Sequence, residues 1–312
     1  MTNLGYCCIN TQLRDRKITT NRGMIKRTFQ SKGIEYAGNL ALQNIRDLIE
    51  IIKWNHQNNI VIYRMSSSMI PWMSEYEISD LPTYQKIKVL GKGIGALVKK
   101  YGQRLSFHPG PFNVLASPNP ILVKKTTKEL NQHAEIMDIF CLPQSHQYPI
   151  NIHCNGVYGN KDETLKRWSS NYKKLSKSAQ ARLVVENDDK AGMYSVSDLH
   201  KGIFSRVNVP ITFDYHHHRF NTSNLTEKEA FELAASTWDY HNTKPLFHYS
   251  SCRRSFEDST CKSVAHADYI YEKINTYGYS VDIELEAKAK EDALLKYLKD
   301  EQTLLETYIP II

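Results

Sequence analysis

Eight short runs rich in β-branched, aliphatic and aromatic residues punctuate this 312-residue chain, and longer stretches with helical patterning separate them. The runs are Leu4–Ile9, Ile60–Met65, Arg104–Phe107, Pro149–Ile152, Arg182–Val185, Pro210–Phe213, Pro245–Phe247 and Tyr279–Leu285. Between them lie Ala41–Asn55, Thr83–Lys100, Ile121–Phe140, Asp162–Lys177 and Glu227–Tyr240, and Ala287–Lys299 follows the last run. Each has apolar residues at helical spacing, as in Leu42, Ile45, Leu48, Ile49 and Ile52. Strands alternating with helices build a parallel sheet, and eight strands close a (β/α)8 TIM barrel. An open doubly wound sheet is the alternative, but no glycine-rich phosphate turn follows the first run. The expected fold is therefore α/β, one barrel domain spanning residues 1–312. The first strand–helix connection, from about Thr11 to Gly38, is rich in Arg, Lys and Thr and is expected to form an elaborated loop on the functional face.

Composition excludes several classes. No run approaches the ~20 apolar residues of a membrane span, and the N-terminus lacks the basic and apolar regions of a signal peptide. The reading is a cytoplasmic protein. Its six cysteines, Cys7, Cys8, Cys141, Cys154, Cys252 and Cys261, form no C-x-x-C pair, so reduced thiols are expected rather than a zinc ribbon or disulfide framework. Net charge is +7, which suits a polyanionic partner without proving one.

The residues that close the strands carry the chemistry. Asn10 ends the first, Arg64 and Ser66–Ser68 the second, His108 the third, His153 the fourth and Glu186 the fifth. Asp214 ends the sixth, with His216, His217 and His218 after it; His248 ends the seventh and Glu286 the eighth. Barrel active sites are built at this edge of the sheet. A lone His after a strand is more often a satisfied loop or core residue, but six strand ends each offering a His or a carboxylate point to metal. Imidazoles mixed with carboxylates, and no thiolate, suit Mn²⁺, Zn²⁺ or Fe²⁺ better than Ca²⁺. So many ligands exceed the needs of one ion. A cluster of two or three ions is a device for clamping a phosphoryl displacement.

The order of these motifs resembles the UV-damage endonuclease family. The resemblance is carried by Leu4-Gly5-Tyr6-Cys7-Cys8-Ile9-Asn10, Tyr63-Arg64-Met65-Ser66-Ser67, Phe107-His108-Pro109-Gly110 and Ile152-His153, then by Val185-Glu186-Asn187-Asp188-Asp189, Phe213-Asp214-Tyr215-His216-His217-His218, His248-Tyr249-Ser250-Ser251 and Leu285-Glu286-Ala287-Lys288. It runs from residue 4 to about 295. It implies a barrel related to apurinic endonucleases and sugar isomerases, with a trinuclear, often manganese, cluster; Zn²⁺ or Mg²⁺ are the alternatives. In that cluster His108, His153 and Glu186 would hold one ion. Glu186 would bridge to a second held by Asp214, His248 and Glu286, and His217 and His266 would bind the third. Those first six residues are the expected catalytic set. The implied reaction is hydrolysis of the phosphodiester immediately 5′ to a UV lesion, leaving a 3′-hydroxyl. Water is the nucleophile, acidified by the ions. The implied partner is double-stranded DNA carrying UV lesions, bound by a monomer and read by drawing the damaged dinucleotide out of the stack. Tyr6, Asn10, Phe112 and Arg64 are the expected DNA- and lesion-binding residues.

Three departures from the family pattern stand out. Pro111-Phe112 occupy the place of a glutamine followed by an aromatic, so the probing amide is replaced while an apolar face remains. Leu246 stands where the family often has a metal-holding carboxylated lysine; Lys244, two residues earlier, lies ~7 Å deeper along the strand, and no carboxylated ligand is expected. Glu75 sits in Pro71-Trp72-Met73-Ser74-Glu75 where a histidine would be expected, and it is not assigned. Lys124-Lys125 and Arg253-Arg254 are candidate phosphate contacts, against ordinary solvated charge. Trp72 and Tyr249 are candidate stacking residues, against ordinary packing. His218 is a candidate partner behind the ligands. Competing readings are an abasic-site endonuclease on the same barrel, a sugar isomerase or epimerase, and an inactive DNA-binding barrel.

Overall fold

The computed structural model describes residues 2–307. Its eight strands are all parallel and lie in the order β6-β5-β4-β3-β2-β1-β8-β7. They are β1 Asn3–Cys7, β2 Ile62–Met65, β3 Arg104–Phe107, β4 Ile150–His153, β5 Leu183–Glu186, β6 Ile211–Thr212, β7 Leu246–Tyr249 and β8 Asp282–Leu285. The two ends of that order meet at one parallel bridge between Asp214 and His248. There the His248 N–H donates to the Phe213 carbonyl at 3.0 Å. The sheet thus closes on itself at two of the expected site residues. Gly5 lets β1 and β2 approach: a Cβ there would lie 2.2 Å from the Ile62 carbonyl oxygen.

Helices cover the outside. Lys26–Gln57 presents Ala37, Ala41, Ile45, Leu48 and Ile52 to the sheet at intervals of three and four. Tyr84–Tyr101, Pro120–Ile139, Lys161–Tyr172, Glu227–Asp239 and Glu291–Thr307 complete the layer. Asn119 caps the Pro120 helix by accepting from the Ile121 N–H at 2.9 Å, and Thr226 with Glu229 forms a capping box on the Glu227 helix. Between β5 and β6 the chain is helical from Val196 to Val207, with a π-turn over His200–Phe204. The first connection is shorter than expected. Helix begins at Lys26 and breaks only at Gly33, whose φ of 65° a side chain would resist.

The core has two ends of different character. At the N-terminal end of the strands, Arg104 and Asp282 pair at 3.1 Å, both nearly fully buried. Arg104 also donates to the carbonyls of Gln147, His146 and Pro245. Asp282 also accepts from Asn3 at 2.9 Å and from Lys244 at 2.5 Å. Every charged group named at this floor is paired. The opposite end is the mouth.

Candidate metal centre

Glu186 closes β5 with no exposed surface, and four imidazoles crowd its carboxylate. Oε2 lies 3.0 Å from Nε2 of His108, 3.7 Å from Nε2 of His153 and 3.2 Å from Nδ1 of His248. Oε1 lies 3.2 Å from Nδ1 of His217. Asn151, two residues before His153 and so on the same face of β4, donates to Oε2. These residues come from β4, β5 and β7 and from the ends of β3 and β6. Strand pleat aims His153, Glu186 and His248, while the Asp214-capped turn after β6 brings in His217.

A second carboxylate faces the same space. Glu286, just past β8, accepts from Arg64 of β2, and its Oε1 lies 3.4 Å from Nδ1 of His248. Its Oε2 lies 3.6 Å from Nδ1 of His266. Asp214 adds a third carboxylate, its Oδ1 accepting from the His217 backbone N–H at 2.7 Å. A further set of groups orients this cage from behind. His153 Nδ1 lies 3.1 Å from Asp188, and His248 Nε2 lies 3.2 Å from the buried carboxylate of Glu284. Ser106 in turn donates to Glu284, and Arg64 lies 3.8 Å from it. An imidazole held at one nitrogen by a carboxylate offers the other to a metal in a fixed tautomer.

The donor set fits divalent cations. Five carboxylates, Glu186, Asp188, Asp214, Glu284 and Glu286, lie around this space, and Arg64 pairs with two of them, Glu284 and Glu286. Several buried atoms have no hydrogen-bond partner: Glu186 Oε1, Asp214 Oδ2, Glu284 Oε2 and His248 Nδ1. His108 Nε2 and Glu186 Oε2 form a hydrogen bond at 3.0 Å, whereas Glu186 Oε1 and His248 Nδ1 lie close to their neighbours without one, as ligand atoms around a shared ion would. Buried polar atoms left unpaired are costly, and ions would satisfy them. Three groups offer ligand atoms mutually within 4.8 Å: His108, His153 and Glu186; His108, His248 and Glu286; and Glu186, Asp214 and His217. The first is the trio the resemblance implied. Asp214 groups with His217 rather than with His248 and Glu286, and His266 belongs to no such group among the described residues.

Without cations, protons take their place. Burial would depress the His248 imidazole, but Glu186 and Glu284 outweigh it and push it up to about 10. Burial likewise opposes protonation of His217, yet Asp214 and Glu186 hold it well above the usual range. His153 is raised by Glu186 and Asp188 against the same burial cost. His108 goes the other way, because burial dominates there. Burial alone would raise the Glu186 carboxyl; the imidazoles of His248 and His153 reverse this and hold it well below the carboxylate range.

The expected lesion-binding residues fare unevenly. Phe112 is 89% exposed in the segment after β3. Arg64 is buried and bonded to Glu286. Tyr6 and Asn10 are both buried; Asn10 donates to the Tyr6 hydroxyl at 2.9 Å, and that hydroxyl donates to Asn55 at 2.8 Å, which joins β1 to the first helix. Glu75 is exposed in a short 3-10 turn outside the cage. Tyr249 is packed against Tyr215, and Trp72 against Phe29. His218 packs its ring on Phe213 rather than behind a ligand. Arg253 is paired with Asp268 at 3.1 Å, whereas Arg254 is exposed. Lys244 is held by Asp282 at the floor, far from the mouth. Glu284, Asn151 and Ser106 went unrecognised in the sequence; each lies two residues before a strand-end ligand, and that spacing is the signal that finds them.

Comparison with known proteins agrees with this geometry. The model of the family described as UV-endonuclease UvdE matches residues 2–309. A UV DNA damage endonuclease of Bacillus mycoides (strain KBAB4) is 32% identical over 271 residues, 83% of this chain and 81% of that protein. The crystal structure of SacUVDE superposes with a TM-score of 0.84 at 28% identity, covering 97% of this chain and 99% of that one. Endonuclease IV of Thermus thermophilus, at 12% identity and a TM-score of 0.54 over 98% of this chain and 99% of that one, shares the fold alone. With eight parallel strands closed into a barrel and a family match over nearly its whole length, this chain belongs to the UV-endonuclease UvdE family.

Proposed function

We propose that this protein is a UV-damage DNA endonuclease that hydrolyses the phosphodiester immediately 5′ to UV photoproducts and similar lesions, leaving a 3′-hydroxyl. The observation that carries the reading is the convergence of His108, His153, His217 and His248 on Glu186, with Asp214 and Glu286 beside them. Two or three divalent cations, manganese first among them, would offset phosphate charge there and acidify the attacking water. Glu186 faces three of the four imidazoles through Oε2 and the fourth through Oε1, which suits a bridging carboxylate. Glu284 and Asp188 hold His248 and His153 in orientation, and Arg64 holds Glu286. His266 lies at the rim, where it supports the outermost position. Phe112 offers its exposed ring to the unstacked lesion. Every member of the cage comes from one chain, so a monomer suffices. Among the described residues no helix is long and apolar enough to cross a membrane. The proposed site of action is the compartment that holds the DNA, the cytoplasm and its nucleoid.

The test is a nicking assay with Mn²⁺ on irradiated, abasic and undamaged duplexes. The reading expects cleavage of the irradiated duplex 5′ to the lesion. Preference for the abasic duplex would move the protein to the runner-up class, and ketose turnover without nicking would make it an epimerase. Glu186→Gln is expected to lower the nicking rate by on the order of 10³-fold, the loss of several kcal/mol of charge stabilisation, while DNA binding persists. Undiminished activity would contradict the bridging role.

A further inference from the structure

The proposed function uses Phe112 on one rim of the mouth and nothing on the other. The opposite rim carries its own exposed aromatics. Phe256 and Tyr271 are 43% and 45% exposed, and their rings stack with centroids 5.2 Å apart and planes 8° from parallel. Both lie in the connection between β7 and β8. That connection is tied to the site: Cys252 and His266 form an antiparallel bridge, and His266 reaches Glu286. The Tyr271 N–H donates to Ser251 at 3.0 Å, two residues past the end of β7. Its hydroxyl donates to Glu257 at 3.0 Å, and Glu257 also accepts from the Asp268 N–H at 2.6 Å. The pair is therefore pinned in place, with apolar faces left in water.

Topology fixes where it stands relative to Phe112. In the closed order of strands, β3 and β7 are four steps apart in either direction, which is diametrically opposite. The metal cage lies between them. Arg254, Lys262 and Lys273 are exposed on the same connection, but Glu257, Asp258, Asp268 and Glu272 balance its cations, so a ligand there would be held by the ring faces rather than by net charge. Rigid, exposed, parallel rings are the ingredients of a base-stacking platform, since every nucleobase has a π-face.

We infer that Phe256 and Tyr271 form a second stacking platform, which receives a nucleobase displaced from the duplex on the side of the mouth opposite Phe112. The inference rests on the proposed function, because it takes damaged duplex DNA as the ligand. Two supports on opposite rims would hold a duplex open across the cage, where one would only tilt it.

The experiment uses a duplex with one thymine dimer and 2-aminopurine opposite it, titrated with the full chain in EDTA so that no cleavage occurs. Wild type is expected to raise 2-aminopurine emission as that base leaves the stack. Phe256→Ala/Tyr271→Ala is expected to abolish most of that rise and to weaken affinity for the damaged duplex roughly 10-fold, with the thermal midpoint little changed. Phe256→Leu, which keeps apolar bulk but no ring face, is expected to share the loss. Tyr271→Phe, which keeps the ring, is expected to behave as wild type. Full 2-aminopurine emission and affinity in the double variant or in Phe256→Leu would overturn the inference while wild-type lesion preference upheld the proposed function. A wild type with no preference for the damaged duplex would overturn both.

Discussion

The two ends of this barrel are built from the same residue types and do opposite things. At the floor, Arg104 and Asp282 meet at 3.1 Å, Lys244 joins them, and backbone carbonyls and Asn3 take up the remaining bonds. Each of these charged groups has an opposite partner in place. At the mouth, Arg64 pairs with Glu284 and Glu286, neighbouring carboxylates push the His217 and His248 imidazoles up, and buried oxygens remain unpaired. Charge there awaits a counterpart from outside. A buried ion pair that is complete braces the fold, whereas an incomplete one stores an affinity for cations.

The contrast is broken most forcefully by exchanging the two kinds of loss. Arg104→Met leaves Asp282 buried with less of its compensation, and is expected to destabilise the fold by about 3–5 kcal/mol, read by urea unfolding. The nicking rate per folded molecule should hardly change. Glu186→Gln should do the reverse, removing most of the nicking at a smaller cost in stability in EDTA, since His217 and His248, which Glu186 helps keep protonated, can shed their protons when its charge is lost. If both substitutions cost stability equally, the mouth is as structural as the floor.

A smaller effect is expected one layer beneath the ligands. Glu284→Gln retains a hydrogen-bonding partner for His248 but removes the charge that holds its tautomer. Metal affinity should fall by about 10–100-fold, the usual penalty for removing a group behind a ligand, measured as the Mn²⁺ concentration that half-restores activity. An unchanged Mn²⁺ requirement would make Glu284 a bystander.

The smallest effect separates the two ends by pH. His146, on the floor side ahead of β4, is lowered to about 3, chiefly by burial and secondarily by His241. In the unfolded chain its imidazole titrates near 6.5. Above that pH both states are neutral there and the group contributes nothing. Below it only the unfolded chain takes the proton, so stability is lost as pH falls from about 6.5 toward 3, with a slope of at most ~1.4 kcal/mol per pH unit. His146→Phe should flatten that part of the stability profile. In EDTA the mouth imidazoles pull the other way: with raised folded values, their contribution is present at low pH and lost as pH rises through those values. An identical acid limb in His146→Phe would show that burial of this ring is not what the floor resists.

Much of this could be read in the residues. All eight apolar runs became strands, and the His and carboxylate at their ends came together. The boundaries differ where polarity was taken as the end of a strand. His153, Glu186 and His248 are strand residues in the fold, because the top layer of the barrel interior is lined by the site rather than by core. Periodicity treats a polar residue as the start of a loop and cannot know that an inward position faces ligands instead of core. Lesion probing was the least legible part. Tyr6 and Asn10 carry suitable groups, but only three-dimensional packing shows them bonded to each other and to Asn55. Phe256 and Tyr271 are fifteen residues apart in the chain, and nothing in the sequence pattern announces that they stack.

The central claim is that the mouth is a cage for several divalent cations, and counting them tests it most directly. Wild-type protein stripped with EDTA and titrated with Mn²⁺ should bind two or three ions per chain and release protons as the imidazoles give up their charge. Glu186→Gln should bind fewer. A single ion or none in the wild type, or an unaltered count in Glu186→Gln, would contradict the account.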